Sequence, residues 1–201
     1  MIGKLSRVLA IGAHPDDIEL GSYGTLCRLA ETAEIHTLIM ADCKEDGWGG
    51  RREDESWKAL GGMRPRILDF KHDDLIPSQR TVRALGEVVR EIRPDLVLTH
   101  TRWDTHQDHR AVEEITLAAC RRRPITLLGY HAISSTADFQ SNLVVDITEN
   151  FDRKLQAVAC HTTQANQAYM QPEWLRQWHY EKMATSVGLK LVELFHVHLY
   201  S

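Results

Sequence analysis

LSRVLAIGAHPDDIE, Leu5 through Glu19, is the stretch on which the fold turns. Its first part, Leu5 to Ala13, is a short apolar run rich in branched residues, the signature of a strand buried on both faces. Its second part changes character at once, to an imidazole, a proline and three acids. A buried strand that ends in a charged turn and runs into a helix (apolar residues recur at helical spacing over Ile18 to Ala33) is the opening unit of an α/β sheet.

The pattern continues outward from there. Strands are expected at Glu34 to Ala41, Arg66 to Phe70, Leu96 to His100, Thr126 to His131, Asn142 to Ile147 and Leu189 to Leu199. Helices are expected at Arg51 to Leu60, Thr81 to Ile92, Asp108 to Arg122, Thr148 to Cys160 and Glu173 to Val187. Gly61-Gly62 and Pro94 supply stops. Strict alternation over the first two thirds predicts an α/β fold with a mostly parallel sheet between two helical layers. Ligands in such folds bind beyond the carboxyl ends of the strands, where the chain switches direction across the sheet.

The bulk composition narrows the function. The chain has 201 residues, is 43% hydrophobic and 26% charged, and carries a formal net charge of -4. That length suits one domain, 1–201, and the sequence shows no repeat, linker or low-complexity tract. The acidic balance, with pI near 6.2, argues against a nucleic-acid partner. No apolar run nears the roughly 18 residues that span a bilayer, and none resembles a signal peptide, so no membrane partner and a cytoplasmic location are expected. Cys27, Cys43, Cys120 and Cys160 are widely spaced and read as buried free thiols rather than a zinc site.

Two clusters carry chemistry. His14-Pro15-Asp16-Asp17-Ile18-Glu19 closes the first strand, and Asp104-Thr105-His106-Gln107-Asp108-His109 follows the fourth. Each alone is also what a helix start looks like, with an acid as cap. Together they stand at matching strand ends, on strands that would be neighbours at the switch point, so both can face one site. Histidine with aspartate suits a hydrolytic zinc ion with an open position, and paired acids allow one to bind metal while the other acts as base. The competing nucleotide site fails: Gly12 is followed by acids that would repel a pyrophosphate, and no GxGxxG, Walker or GxSxG sequence occurs.

These residues also carry a resemblance. Ala13 to Glu19 resembles the AHPDDxE signature of the LmbE-like, or PIG-L-type, N-deacetylases, and His106-Gln107-Asp108-His109 is similar to that family's HxDH motif. Asn142 to Ile147 with His161-Thr162-Thr163-Gln164 resembles its "VDIT … HxSQ" region, with Thr163 where serine is common, and Glu181 to Phe195 resembles its C-terminal segment. The resemblance implies a Rossmann-like three-layer LmbE-like fold. It further implies His14, Asp17 and His109 as ligands of Zn2+ or another divalent metal, Asp16 as general base, and a protonated His106 beside the oxyanion. Asp108 would orient a neighbouring histidine. The reaction implied is removal of acetyl from an N-acetylglucosamine-type sugar derivative, giving amine and acetate. The alternatives are hydrolysis of another N-acyl amide, from an antibiotic or lipid-linked sugar, and a non-catalytic metal- or sugar-binding protein. Family members often form homo-oligomers.

Substrate contacts are expected from Arg52 (or Arg51 if the register slips), from Asp74 (or Asp73) and from His161; Arg52 and Glu55 fit the family's R…E pattern, the alternative being an i, i+3 ion pair on a solvated helix start. Trp48 would stack on a sugar or pin its loop. Trp174 and Trp178, four apart on a helix, would pack a core or a subunit interface.

Overall fold

The computed structural model describes residues 5–44, 47–48, 50–71 and 75–199. Seven strands form one sheet: β1 Arg7–Gly12, β2 Glu34–Ala41, β3 Pro65–Phe70, β4 Leu96–Thr99, β5 Thr126–Tyr130, β6 Leu143–Asp146 and β7 Val192–Leu199. Their order is β3-β2-β1-β4-β5-β7-β6. β1 to β5 are mutually parallel, and β7 runs antiparallel to both β5 and β6. The helices are α1 Asp17–Gly21, α2 Tyr23–Leu29, α3 Arg51–Leu60, α4 Gln79–Ile92, α5 Gln107–Cys120, α6 Phe151–Val158, α7 Pro172–Trp178 and α8 Lys182–Thr185.

Burial on both faces explains why β1 reads as an unbroken apolar run. Leu9 and Ile11 pack into one core with Leu85, Val88, Val112 and Ile115 of α4 and α5. Val8 and Ala10, one residue out of phase, join the opposite core with Leu26 of α2 and Ala157 of α6. The chain builds outward from β1 through β2 to β3, then returns to place β4 on the other side of β1, with Val8 beside Leu96 and Ala10 beside Leu98. The carboxyl ends of β1 and β4 therefore lie side by side at the switch point.

Two expected helices are each broken in two. The segment 18–33 is interrupted at Ser22, whose φ of -145° is not helical. The reason lies on β7: the buried Glu193 carboxylate accepts from Gly24 N (3.0 Å) and Thr25 N (2.8 Å), giving α2 an N-terminus of its own. Gly21 is required just before the break, because a Cβ there would run into the Tyr130 ring. The segment 173–187 breaks between Trp178 and Lys182, where the carbonyl of buried His179 accepts from Val192 N at 2.9 Å.

Candidate active site

Both acidic-histidine clusters reach the same place. The turn after β1 supplies His14, Asp16 and Asp17, and the segment from β4 into α5 supplies His100, Asp104, His106, Asp108 and His109. The two clusters touch directly: His14 Nε2 lies 2.9 Å from Asp108 Oδ2, and His109 Nε2 lies 3.3 Å from Asp17 Oδ1.

Among the described residues, three overlapping donor sets bring ligand atoms within 4.8 Å of one another: His14/His106/Asp108, His14/Asp17/His109 and His100/Asp104/His109. Distances separate them. A charged N–H···O bond runs about 2.7–2.9 Å, and His14 Nε2 to Asp108 and His109 Nδ1 to Asp104 Oδ2 are both 2.9 Å. Two ligands about 2.1 Å from one tetrahedral ion stand roughly 3.4 Å apart. His14 Nδ1 to Asp17 Oδ2 at 3.6 Å and His109 Nε2 to Asp17 Oδ1 at 3.3 Å match that second spacing. Each histidine thus spends one ring nitrogen on an orienting carboxylate and turns the other toward Asp17, as metal-ligating histidines do. In the third set His100 is fully buried and stacked on His109 at 3.9 Å, with Ala13 N–H donating to its Nε2 at 3.1 Å, and neither His100 nor Asp104 lines the cavity described below. Of the three sets, His14, Asp17 and His109 is the one whose members all line the cavity, and its spacings suit a metal.

The two adjacent aspartates have opposite electrostatics. Burial by itself would raise the Asp17 carboxyl, but His109 and His100 overcome it and hold the group well below the usual carboxylate range. Burial and the Asp17 charge push Asp16 up to about 7, with Arg52 and His161 pulling the other way. Asp16 also has unusual backbone, φ 107° and ψ -26°, on the positive side that non-glycine residues seldom occupy and that costs about 1–3 kcal/mol. Burial opposes charge on His109, yet Asp17 and Asp104 raise it to about 10.

A cavity of about 280 Å³ opens over these groups. His14, Asp16, Asp17, His106 and His109 face it from below. Leu20, Gly21, Ala132, Ile133 and Tyr169 give apolar wall, and Arg52, Ser134 and Gln164 give polar wall.

His106, which the resemblance implies to be protonated, is exposed and caps α5, its Nδ1 accepting from Asp108 N at 3.2 Å; partial desolvation together with His109 and His14 lowers its pKa. The neutral ring with its proton on Nε2 satisfies that cap and still offers a donor. His161 was read as a pocket residue. It is buried behind the wall, its Nε2 2.9 Å from Glu19 Oε1, while Gln164 and Tyr169 from the following turns line the cavity instead. Arg52 does border the cavity. Arg51 instead lies over the Trp48 ring at 5.5 Å. Asp73 and Asp74 fall outside the described residues. Glu55 accepts from Thr163 Oγ1 (2.6 Å) and Thr163 N (3.0 Å), fastening α3 to the turn that carries Gln164.

Asp104, His100, Tyr130 and Ser134 contact the site residues, and sequence reasoning gave none of them an individual role. Asp104 and His100 flank the second motif, so their place at the end of β4 was the available signal. Tyr130 (hydroxyl donating to Ile11 O at 2.9 Å) and Ser134 (Oγ 3.2 Å from His109 Nδ1) come from the end of β5 and beyond, where nothing in the local pattern marks them.

The family model described as PIG-L: GlcNAc-PI de-N-acetylase matches residues 9–120, which include both clusters. YaiS of Escherichia coli K12, named an uncharacterized deacetylase, is 32% identical over 170 residues, covering 79% of this chain and 91% of its own. Diacetylchitobiose deacetylase of Thermococcus kodakarensis is 28% identical over 188 residues, covering 80% and 70%. Among solved structures, the 4-carboxy-2-hydroxymuconate hydratase GalB of Pseudomonas putida KT2440 superposes with a TM-score of 0.81 at 15% identity, over 98% of this chain and 97% of its own. That likeness is one of fold alone, and a shared fold hosts more than one chemistry. With the matched region spanning more than half of its length and both motifs, the chain belongs to the PIG-L family.

Proposed function

We propose that this protein is a divalent-metal hydrolase, zinc being the first candidate, that removes acetyl from an N-acetylated amino sugar or its conjugate. Family membership and the deacetylase relatives make the chain an amide hydrolase. The observation that carries the finer reading is Asp16. A carboxyl raised to about 7 faces the cavity one residue from the carboxylate of the donor set.

His14, Asp17 and His109 would hold the ion. When bound, it supplies Lewis acidity, polarising the amide carbonyl and lowering the pKa of the attacking water. Asp16 takes the proton from that water and returns it to the leaving nitrogen as the C–N bond breaks. The products are a free amine and acetate. The neutral His106 directs its Nε2–H at the oxygen on which charge develops, a contribution of typically about 2.7–4 kcal/mol to the barrier. Asp108 and Asp104 fix the rings of His14 and His109. The cavity, near the lower end of small-molecule pockets at about 300–1,000 Å³, suits one sugar ring with its acetyl group. A second ring or aglycone would extend outward past Arg52, Gln164 and Tyr169. Asp74 remains a proposed contact on the sequence reading alone.

The test is a panel of N-acetyl amino-sugar conjugates, with longer N-acyl amides beside them, assayed for free amine with added metal and with chelator. Metal-dependent amine release from the sugar conjugates is expected. Release from the longer amides alone moves the substrate class, and binding without release from any amide returns the chain to a non-catalytic role.

A further inference from the structure

Asp16 holds its carboxyl over the cavity from a backbone conformation that L-residues avoid. Such a turn persists only when its surroundings over-determine it. Two supports come from the turn itself: His14 N–H donates to Asp17 Oδ2 at 2.7 Å, and Leu20 N–H donates to Asp16 O at 2.9 Å. The third comes from a different element, 36 positions along the chain. Arg52 Nη2 donates to Pro15 O at 3.1 Å and stands 3.4 Å from Asp16 Oδ2. One guanidinium nitrogen thereby grips the peptide oxygen just before the strained residue and that residue's own carboxylate. Its platform is fixed, because α3 is fastened by Glu55 to Thr163 and by Ser56 Oγ to Glu19 Oε1 at 2.9 Å.

We propose that Arg52 is a positioning residue: it clamps the Pro15–Asp16 peptide in its left-handed turn and so aims the Asp16 carboxylate at the attacking water. The proposal rests on the reading of Asp16 as base. It assigns Arg52 a task other than holding substrate hydroxyls, and the two tasks separate experimentally. A clamp acts on turnover and on the turn itself, whereas a substrate contact acts on binding. Lysine keeps the charge but carries it as a compact ammonium on a different stem, so it reproduces the two contacts only in part.

The experiment is Arg52→Met and Arg52→Lys, each followed by amide hydrogen exchange and by steady-state kinetics on the best substrate of the panel. In Arg52→Met, exchange at residues 16–20 should quicken about tenfold or more while β4 and β5 exchange as in the parent, since a local support has gone. Turnover should fall roughly 10- to 100-fold with KM within about twofold, the consequence of a misplaced catalytic group. Arg52→Lys should recover part of both effects, and it carries the test if the methionine variant does not fold. Unchanged exchange at residues 16–20 overturns the clamp whatever the kinetics. So does a raised KM with kcat preserved, which would make Arg52 a substrate contact. If the parent protein hydrolyses no amide, the proposed activity fails, and the exchange comparison still decides whether Arg52 holds the turn.

Discussion

Asp16 and Asp17 are the same residue type on consecutive positions, and their surroundings drive them apart. Asp17 faces His109 and His100, which hold it well below the usual carboxylate range and keep it ionised. Asp16 lies against the Asp17 charge in a buried site and is pushed up to about 7, close to the pH at which a base exchanges protons. Nothing in the letters D-D distinguishes them. The sequence reading separated ligand from base only through the family resemblance, and the physical cause lies in histidines far along the chain. His109 yields a prediction of its own. Raised to about 10 by Asp17 and Asp104, it is protonated in the metal-free protein at neutral pH. A metal must displace that proton, so loading at pH 8 should release about one proton per ion and affinity should rise with pH up to about 10. Calorimetry in buffers of different ionisation enthalpy measures this; loading with no proton release would show that His109 does not change state on binding.

The break between α1 and α2 places Leu20 and Gly21 on the cavity wall, and its cause is a buried ion pair. Lys154 of α6 donates to Glu193 Oε1 at 2.6 Å and to Leu20 O at 2.7 Å, and Glu193 caps α2. Both side chains are fully buried. Removing one partner strands the other charge, so Lys154→Met should cost about 3–5 kcal/mol, read as a lower urea midpoint at unchanged slope. A loss under about 1 kcal/mol would mean that water or another donor replaces the lysine. This device also marks the limit of reading elements from sequence. β2 and α3 emerge with the expected ends, because apolar periodicity and a glycine stop define them locally. The break at Ser22 does not, because the carboxylate that causes it is 169 positions away from Gly24. Trp174 and Trp178 do stack, at 5.0 Å, and their stack continues through His131 to Phe139 with ring separations of 4.5 Å, a continuation that no helical spacing predicts.

For the whole molecule, the doubly wound sheet explains why two motifs about ninety residues apart share one site. β1 and β4 are neighbours only because the chain reverses its progress across the sheet between β3 and β4. That much was legible from the alternation of strands and helices. The cavity wall was not, since Leu20, Ser134, Gln164 and Tyr169 carry no motif and are brought in by turns whose conformation depends on distant partners. No described helix is long and apolar enough to cross a membrane. The central claim is that His14, Asp17 and His109 hold a metal while Asp16 performs base catalysis beside it. The most direct test compares the parent protein with Asp16→Asn for metal content and for acetate released from an N-acetyl amino-sugar conjugate. The account predicts about one ion per chain in both, with turnover lowered roughly 10²- to 10⁴-fold in the variant. A metal-loaded Asp16→Asn protein that turns over at the parent rate would contradict it.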